Sequence, residues 1–314
     1  MTSLMISASL RILLTSIVDY AGLFPPAALS MADAVHNYAQ YLNEPESWVL
    51  GRFIVPIARL SEFERVASSY LSKNSSSSSW KLSALGGSNT LQDLKTISDF
   101  NSNCIGKAQV DTIETKATSV EEIRRAASLI RKSFQLFIEI PINNDPGELI
   151  RAIADAGVPA RRRAAFRHAG VKAKVRTGGV TVDAFPSSNN LARFIHACVK
   201  ANVQFKATAG LHHPVRSVYN LTYKPDSEKG KMYGYLNVLL AAAFMKGGLS
   251  VDEAVELLEE ESRDAFRFDD DGVSWRSHRL EVKALQSVRQ GVAISFGSCS
   301  FREPMDDLKA MKLA

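Results

Sequence analysis

The feature that most constrains the fold is a regular alternation of short apolar runs with amphipathic segments, repeated seven times before residue 211. The runs have the length and the turn-bounded ends of strands, and the segments between them carry apolar residues at helical spacing. Such alternation predicts a parallel sheet covered by helices. An eighth strand-like run, GVAISFGSCS, lies at residues 291–300. We therefore expect the α/β class and a closed (β/α)8 TIM-type barrel.

The first and last units set the limits of this domain. The first strand is expected within LLTSIVDYAGLF, residues 13–24, and no G-x-G-x-x-G follows it, which disfavours an open dinucleotide-binding sheet. We expect one barrel domain over residues 1–314, with a helical insertion at about residues 212–290 between strands 7 and 8. Its segment at residues 235–245 is apolar nearly all round, which predicts a helix buried within the chain or in a subunit interface.

Composition and charge bound the class of protein. No apolar run reaches the roughly 20 residues that span a bilayer, so we expect a cytoplasmic protein with no membrane partner. Three distant cysteines predict reduced thiols rather than a disulfide framework or a zinc ribbon. The net charge of +5 is compatible with nucleic acid, an anionic membrane or a small anionic metabolite as partner, and we expect the metabolite. The densest basic run, residues 161–168, is short, and we expect a solvated face rather than a nucleic-acid platform. A homo-oligomer remains open.

Two of the predicted strands, strands 6 and 7, share an unusual design. In the run VKAKVR the apolar Ala173 and Val175 alternate with cationic residues, and in VQFKAT Lys206 holds the corresponding position. Period-two alternation places the cations on one face of each strand. Lys174 and Lys206 would then share the mouth of the barrel, on strands about 4.8 Å apart, if the registers of the two strands match. An amine near another cation loses its proton more readily and becomes a nucleophile toward a carbonyl. The alternative is a pair of interior ion pairs with Glu114 and Glu139.

The active site of such a barrel lies at the carboxyl ends of its strands. That rule selects polar residues near the ends of the predicted strands, and several charges in one cavity would shift one another's pKa values. The candidates are Asp19, Asp111, Glu114, Lys116, Glu139, Lys174, Arg176, Lys206, His212, His213 and Cys299.

Four short stretches resemble the deoxyribose-phosphate aldolase family and related class I aldolases. Residues 174–178 form a K-x-x-T-G pattern similar to that family's Schiff-base strand, and KATAGL at 206–211 is similar to its next strand. The run VDTIET around Asp111 resembles an earlier strand that carries an acid, and FGSCS, residues 296–300, resembles the phosphate loop. The four stretches occur in the family's order along the chain.

The resemblance implies a lyase that works through a lysine Schiff base, with no cofactor and no metal. Lys174 would form the Schiff base and Lys206 would make its amine easier to deprotonate. Asp111 would move protons, and Gly297 and Ser298 would help to hold a phosphate. Glu139 is a further catalytic candidate, selected by its place near the end of a predicted strand rather than by the resemblance. Arg176 stands where that family has a small residue, and its guanidinium suits a carboxylate or phosphate. The expected substrate-binding residues are Arg176, Thr177, Gly178, Gly179, Gly210, His212, His213, Gly297 and Ser298.

The adjacent histidines after strand 7 have no counterpart in the resembling family. Consecutive side chains diverge, so His212 and His213 cannot both readily ligate one metal ion. One of them, with carboxylates, could instead serve a divalent-metal-dependent hydrolase or isomerase. Acid–base catalysis, phosphate contact and structural hydrogen bonding are also open. For the whole chain, the third class of function is a non-catalytic anion-binding barrel.

Overall fold

Eight parallel strands form a closed barrel in the computed structural model, which describes residues 6–71, 79–87, 89–130, 133–157 and 170–312. Each barrel strand pairs with its sequence neighbour, and the last pairs with the first. The (β/α)8 expectation is confirmed. The barrel strands are β1 (Val18–Tyr20), β2 (Leu50–Pro56), β3 (Trp80–Leu85), β4 (Ala108–Lys116), β5 (Gln135–Glu139), β6 (Val171–Arg176), β7 (Phe205–Thr208) and β13 (Ala293–Ser298).

Helices cover the outside of the barrel, and most of them pack one apolar face against it. Polar side chains start several of them: Ser30 accepts a hydrogen bond from the Asp33 amide, and Ser187 accepts one from the Asn190 amide. The helices are α1 (Ala8–Leu14), α2 (Met31–Tyr41), α3 (Leu60–Leu71), α4 (Thr90–Asn103), α5 (Val120–Ile130), α6 (Gly147–Gly157), α7 (Ser188–Ala201), α8 (Tyr235–Lys246), α9 (Val251–Leu258), α10 (Val282–Gly291) and α11 (Arg302–Ala310).

The chain begins differently from the expectation of a strand starting at residue 13. Leu13 and Leu14 end α1, and the strand is only three residues long. The helix forms because Ser7 caps it by accepting from the Leu10 amide, and because Leu10, Leu13 and Leu14 are all buried on its inner side. A continuous apolar run cannot by itself separate a buried helix from a strand.

The region between β7 and β13 contains both an insertion and a regular barrel helix. Two small antiparallel sheets are added: the hairpin β8 (Ser217–Asn220) and β9 (Lys229–Met232), and the sheet β10 (Phe266–Phe268), β11 (Gly272–Trp275) and β12 (His278–Glu281). Helix α8, which we expected to be part of the insertion, instead packs on β13, where Tyr235 stacks on Phe296 at 5.0 Å. It is therefore the outer helix of the seventh unit, and the rest of the chain buries it.

The register of β6 and β7 sets the geometry of the interior. Lys174 lies opposite Lys206, and Arg176 lies opposite Thr208. Ala173 and Val175 are fully buried between the strands and the surrounding helices. The predicted division of these strands into an apolar outer face and a cationic inner face is confirmed.

Two predicted segments lie outside the described residues. They are the basic run at residues 161–168 and the low-complexity serine run at residues 75–79, of which only Ser79 is described. Among the helices that the structure does describe, none combines the length and apolar character needed to cross a membrane.

Candidate active site

A cavity of about 270 Å³ opens at the carboxyl ends of the barrel strands. Its apolar lining includes Phe24, Pro25, Ile54, Leu85 and Val180. Charged and polar side chains form the rest of the lining, and this volume suits a small metabolite rather than a drug-sized ligand. The polar lining includes Glu114, Lys174, Arg176, Thr208, His212 and Cys299, and backbone at Gly179 and Gly297 completes it.

Lys206 lies beneath this cavity and does not reach it. Its side chain is fully buried, and its Nζ lies 2.6 Å from Asp19 Oδ2 and 2.7 Å from Glu114 Oε1. Burial would lower the pKa of Lys206, but the two carboxylates outweigh burial and raise it. The Ser295 hydroxyl also donates to Asp19 Oδ2, at 2.8 Å. Lys206 is therefore a buried ammonium ion held in a satisfied network.

Glu114 lies between the two lysines and joins their networks. Its Oε1 accepts from Lys206 and from the Ser83 hydroxyl at 2.6 Å, and its Oε2 lies 2.8 Å from Lys174 Nζ. Burial would raise the pKa of Glu114, but the ammonium groups of Lys174 and Lys206 hold it well below its usual range. The ion pairs of the structural alternative are thus present.

Lys174 differs from Lys206 because it also faces the cavity. Its Nζ lies 3.0 Å from Glu139 Oε2 as well as 2.8 Å from Glu114 Oε2. Burial would raise the pKa of Glu139, but Lys174 outweighs it and the pKa is lowered. Glu139 Oε2 is buried without a well-aligned hydrogen bond among the described residues. Lys174 is consequently the lysine that a bound carbonyl compound can meet.

Asp111, the acid implied by the family resemblance, is not brought to the lysines. Arg52 binds it with two hydrogen bonds, from Nε at 2.6 Å and from Nη2 at 2.8 Å. Burial would raise the pKa of Asp111, but Arg52 lowers it overall. The pairing of β3 with β4 skips this residue, since Leu82 pairs with Val110 and Ser83 with Thr112. This irregularity interrupts the regular alternation of inner and outer residues along β4, so counting every second residue does not identify which side chains face the interior.

Arg176 connects the cavity to a second, more open pocket of about 500 Å³. The guanidinium is half exposed, and its Nε lies 3.6 Å from Glu139 Oε1. Lys116 and Glu139 line the second pocket with it. An anionic substrate group can therefore approach Arg176 from either pocket.

The two histidines occupy different environments. His212 lines the cavity, whereas His213 stacks on Tyr219 with ring centroids 3.4 Å apart and binds Asp307 Oδ2 through Nδ1 at 2.5 Å. His212 Nδ1 lies 3.0 Å from Glu303 Oε2 and 3.9 Å from Cys299 Sγ. Burial would lower the pKa of His212, but its contacts with Cys299 and Glu303 raise it to about 9. The imidazolium form therefore predominates at neutral pH.

Several predicted binding residues support the barrel mouth instead of lining the cavity. The Thr177 hydroxyl donates to the Ala209 carbonyl at 2.6 Å, which ties the ends of β6 and β7 together. A Cβ at Gly210, whose φ is +70°, would lie 2.9 Å from Gly178 Cα, so the two loops need a glycine here to approach this closely. Ser298 Oγ is 3.5 Å from His212 Nδ1. The predicted site residues that the cavity gathers are Glu114, Lys174, Arg176, Gly179, His212, Gly297 and Cys299.

Sequence reasoning missed Glu303, Tyr223, Ser83 and Ser295. Glu303 lies in the first turn of α11, and Tyr223 lies in the hairpin loop between β8 and β9. No local motif marks either residue, because both reach the site only through the tertiary fold. The sequence features closest to these residues are the FGSCS run at residues 296–300 and the adjacent histidines His212 and His213.

The histidines do not pair with the carboxylates that the metal-dependent alternative requires. Their partners are Glu303 and Asp307 rather than Asp19, Glu114 or Glu139. Within the described ranges, no group of three or more His, Cys, Asp or Glu side chains is arranged to hold a metal ion.

Comparisons with known proteins add no family to this description. No protein-family model matches the chain, and no curated protein sequence is significantly similar to it.

Proposed function

We propose that this protein is a class I aldolase-type lyase in which Lys174 forms a Schiff base with a small anionic carbonyl compound. The observation that carries the proposal is that Lys174, and not Lys206, lines the cavity while two carboxylates contact its Nζ. An amine that meets the substrate on one side and proton acceptors on the other has the arrangement that covalent catalysis requires.

The proposed condensation conserves charge and protons. Lys174 transfers one ammonium proton to Glu139 Oε2, which lies 3.0 Å away, and the free amine attacks the carbonyl carbon. The resulting carbinolamine loses its hydroxyl group as water after taking that proton back, which leaves a protonated imine. An ammonium ion and a carbonyl thus become an iminium ion and water. The same two carboxylates that pair with the ammonium ion stabilise the iminium ion.

Glu114 supplies the proton transfers at the substrate carbon next to the imine. It lines the cavity, and removing a proton from that carbon converts the iminium ion into a neutral enamine, the carbon nucleophile of an aldolase. Lys206 and Asp19 are positioning residues, because they hold Glu114 but do not reach the cavity. Glu114 therefore takes the role that the sequence resemblance gave to Asp111.

The substrate class follows from the mixed lining of the cavity. Arg176 offers a guanidinium to a carboxylate or phosphate, and the apolar side chains of the lining suit a short carbon chain. We further propose a cytoplasmic enzyme, consistent with three free, buried cysteines. We also propose that the enzyme forms a homo-oligomer and that it has no nucleic-acid partner.

Reductive trapping tests the proposed function. The protein is incubated with pyruvate, acetaldehyde or glyceraldehyde 3-phosphate and sodium cyanoborohydride, and the mass increase is measured. Wild type and Lys95→Met, whose exposed lysine lies on α4, should form one adduct, whereas Lys174→Met should form none. An unchanged adduct in Lys174→Met would contradict the proposal.

The ion pairs around Lys174 also suit a non-catalytic anion-binding barrel. In that case Lys174 would only balance buried carboxylates, and Arg176 would hold the ligand. Binding of pyruvate or inorganic phosphate that is unchanged in Lys174→Met, together with no adduct in the wild type, would favour this second function.

A further inference from the structure

We propose that His212, oriented by Glu303, is a second catalytic residue that exchanges a proton with the oxygen of the carbonyl compound that adds to the Lys174 enamine. This inference rests on the proposed function. It assigns a chemical role to the part of the site in which the chain departs most from the resembling aldolases.

The contacts of the imidazole ring leave one nitrogen for a ligand. Glu303, Ser298 and Cys299 all approach Nδ1, at 3.0, 3.5 and 3.9 Å. No residue in the described part of the chain forms a hydrogen bond with Nε2, although the side chain lines the cavity. A carboxylate on one imidazole nitrogen fixes the ring and stabilises its cation, and the other nitrogen then exchanges protons with the substrate.

Glu303 is itself held in place by the insertion. The Tyr223 hydroxyl, in the loop of the β8–β9 hairpin, donates to Glu303 Oε2 at 2.9 Å. The Glu303 amide also donates to the Ser300 hydroxyl at 3.1 Å, which anchors the start of α11. The β8–β9 hairpin therefore holds in place the carboxylate that orients His212.

The groups around His212 favour its protonated form. Glu303 is the anion in contact with the ring, and Cys299 approaches it from the end of the last strand. Tyr223, from the insertion, contacts Cys299 and Glu303 rather than the ring. His213 lies next to it in the chain with ring centroids 6.4 Å apart, and Asp307 binds the His213 ring. Across the cavity, Lys174 and Arg176 are paired with Glu114 and Glu139. With a pKa of about 9, His212 carries a proton to donate at neutral pH.

The proposed step balances as follows. The enamine carbon forms a bond with the carbonyl carbon of the acceptor, the π electrons of that carbonyl move to its oxygen, and the oxygen takes the proton from His212 Nε2. The enamine nitrogen becomes an iminium ion again, and water adds to the iminium carbon and releases Lys174 as an ammonium ion together with the product carbonyl. The proton that Glu114 took from the donor carbon returns to His212 through solvent. In the cleavage direction, neutral His212 removes the hydroxyl proton as the carbon–carbon bond breaks.

The first test measures the ring directly and needs no substrate. In the full-length protein, the ¹H–¹³C NMR signal of His212, identified by its loss in His212→Asn, is followed from pH 5 to 10.5. We expect a midpoint near 9 that moves to lower pH in Glu303→Gln and moves less in Tyr223→Phe. A midpoint near the ordinary 6.5, unmoved by Glu303→Gln, would overturn the inference.

The second test separates this inference from the proposed function. With the carbonyl probe that gives a trapped adduct and glyceraldehyde 3-phosphate as acceptor, His212→Asn should keep the Lys174 adduct but lose about 10²-fold or more in condensation rate. The fall of the wild-type rate above pH 9 should move to lower pH in Glu303→Gln. Condensation within threefold of wild type in His212→Asn would overturn the inference, whereas no adduct in wild type would overturn the proposed function.

Discussion

Glu114 contacts Lys206 on its inner side, towards the barrel interior, and Lys174 on its outer side, towards the cavity. The two lysines lie at paired positions of adjacent strands, but their surroundings differ. On the inner side, Lys206 is sealed from solvent, and Asp19, Ser83 and Ser295 complete the hydrogen bonding. On the outer side, Lys174 and its partner Glu114 line the cavity, and its second carboxylate partner, Glu139, also lies near the half-exposed Arg176. We therefore propose different capacities for two lysines that the sequence makes equivalent: Lys206 positions a carboxylate, and Lys174 reacts with the substrate.

Replacing each lysine by methionine should separate these capacities most strongly. Lys206→Met leaves Asp19 and Glu114 buried with no cation between them, and breaking a buried pair in this way costs about 3–5 kcal/mol. Lys174→Met should cost about 1–2 kcal/mol, because water in the cavity can hydrate the carboxylates that remain. Urea unfolding at pH 7 measures both free energies, and Lys95→Met is the control, with a change within about 0.5 kcal/mol. Equal losses in the two variants would contradict the comparison.

Glu114→Gln tests whether one carboxylate joins the two sides. The pKa of Glu114 is lower in the folded protein than in the unfolded chain, so its stabilisation is present above its ordinary value of 4.5 and is lost as the pH falls below it. The variant should be less stable than wild type by about 2–4 kcal/mol at pH 7. Denaturant unfolding at pH 7, 5, 4 and 3 should show this difference narrowing as the pH falls. A difference independent of pH would mean that the carboxylate charge is not what stabilises this site.

The mouth of the barrel should show the opposite pH dependence. The pKa of His212 is raised from 6.5 to about 9 on folding, so its stabilisation is complete below pH 6.5 and is lost as the pH rises through 9. The stabilisation from His212 should be on the order of 1–2 kcal/mol, because much of its attraction to Glu303 only offsets the cost of burying the two charges. Unfolding at pH 6, 8 and 9.5 should show that His212→Asn lacks this alkaline loss. His196→Asn, on α7, is the matched control and should retain it.

Asp111→Asn should have the smallest effect on the site. The substitution removes the ion pair with Arg52, which is partly buried, and we expect a loss of about 1 kcal/mol in unfolding free energy. Adduct formation at Lys174 should not change, because Glu114 and not Asp111 contacts that lysine. An Asp111→Asn variant that is stable but forms no adduct would restore the role implied by the resemblance.

The fold was predictable because its signals are repeated and local. Each strand and helix unit carries its own apolar period, so the error at Leu13 and Leu14 did not disturb the count of eight strands. Helix α8 was correctly expected to be buried, but its assignment to the insertion was wrong, because no local feature shows that Tyr235 stacks on Phe296.

The site was only partly predictable, because its contacts join residues far apart in the chain. Alternation along β6 and β7 placed Lys174 and Lys206 side by side. It could not show which lysine is sealed from solvent, because the carboxylates that pair with the two lysines include Asp19 on the first strand and Glu139 on the fifth. Likewise, the bond between His212 and Glu303 spans 91 residues, and no sequence pattern connects them.

The most direct measurement is the position of the trapped adduct in the wild-type protein. After reduction with cyanoborohydride in the presence of each carbonyl probe, peptide mass mapping identifies the modified lysine. We expect modification of Lys174 alone, with Lys206 unmodified beneath the cavity. Modification of Lys206, or no specific lysine modification with any probe, would contradict it.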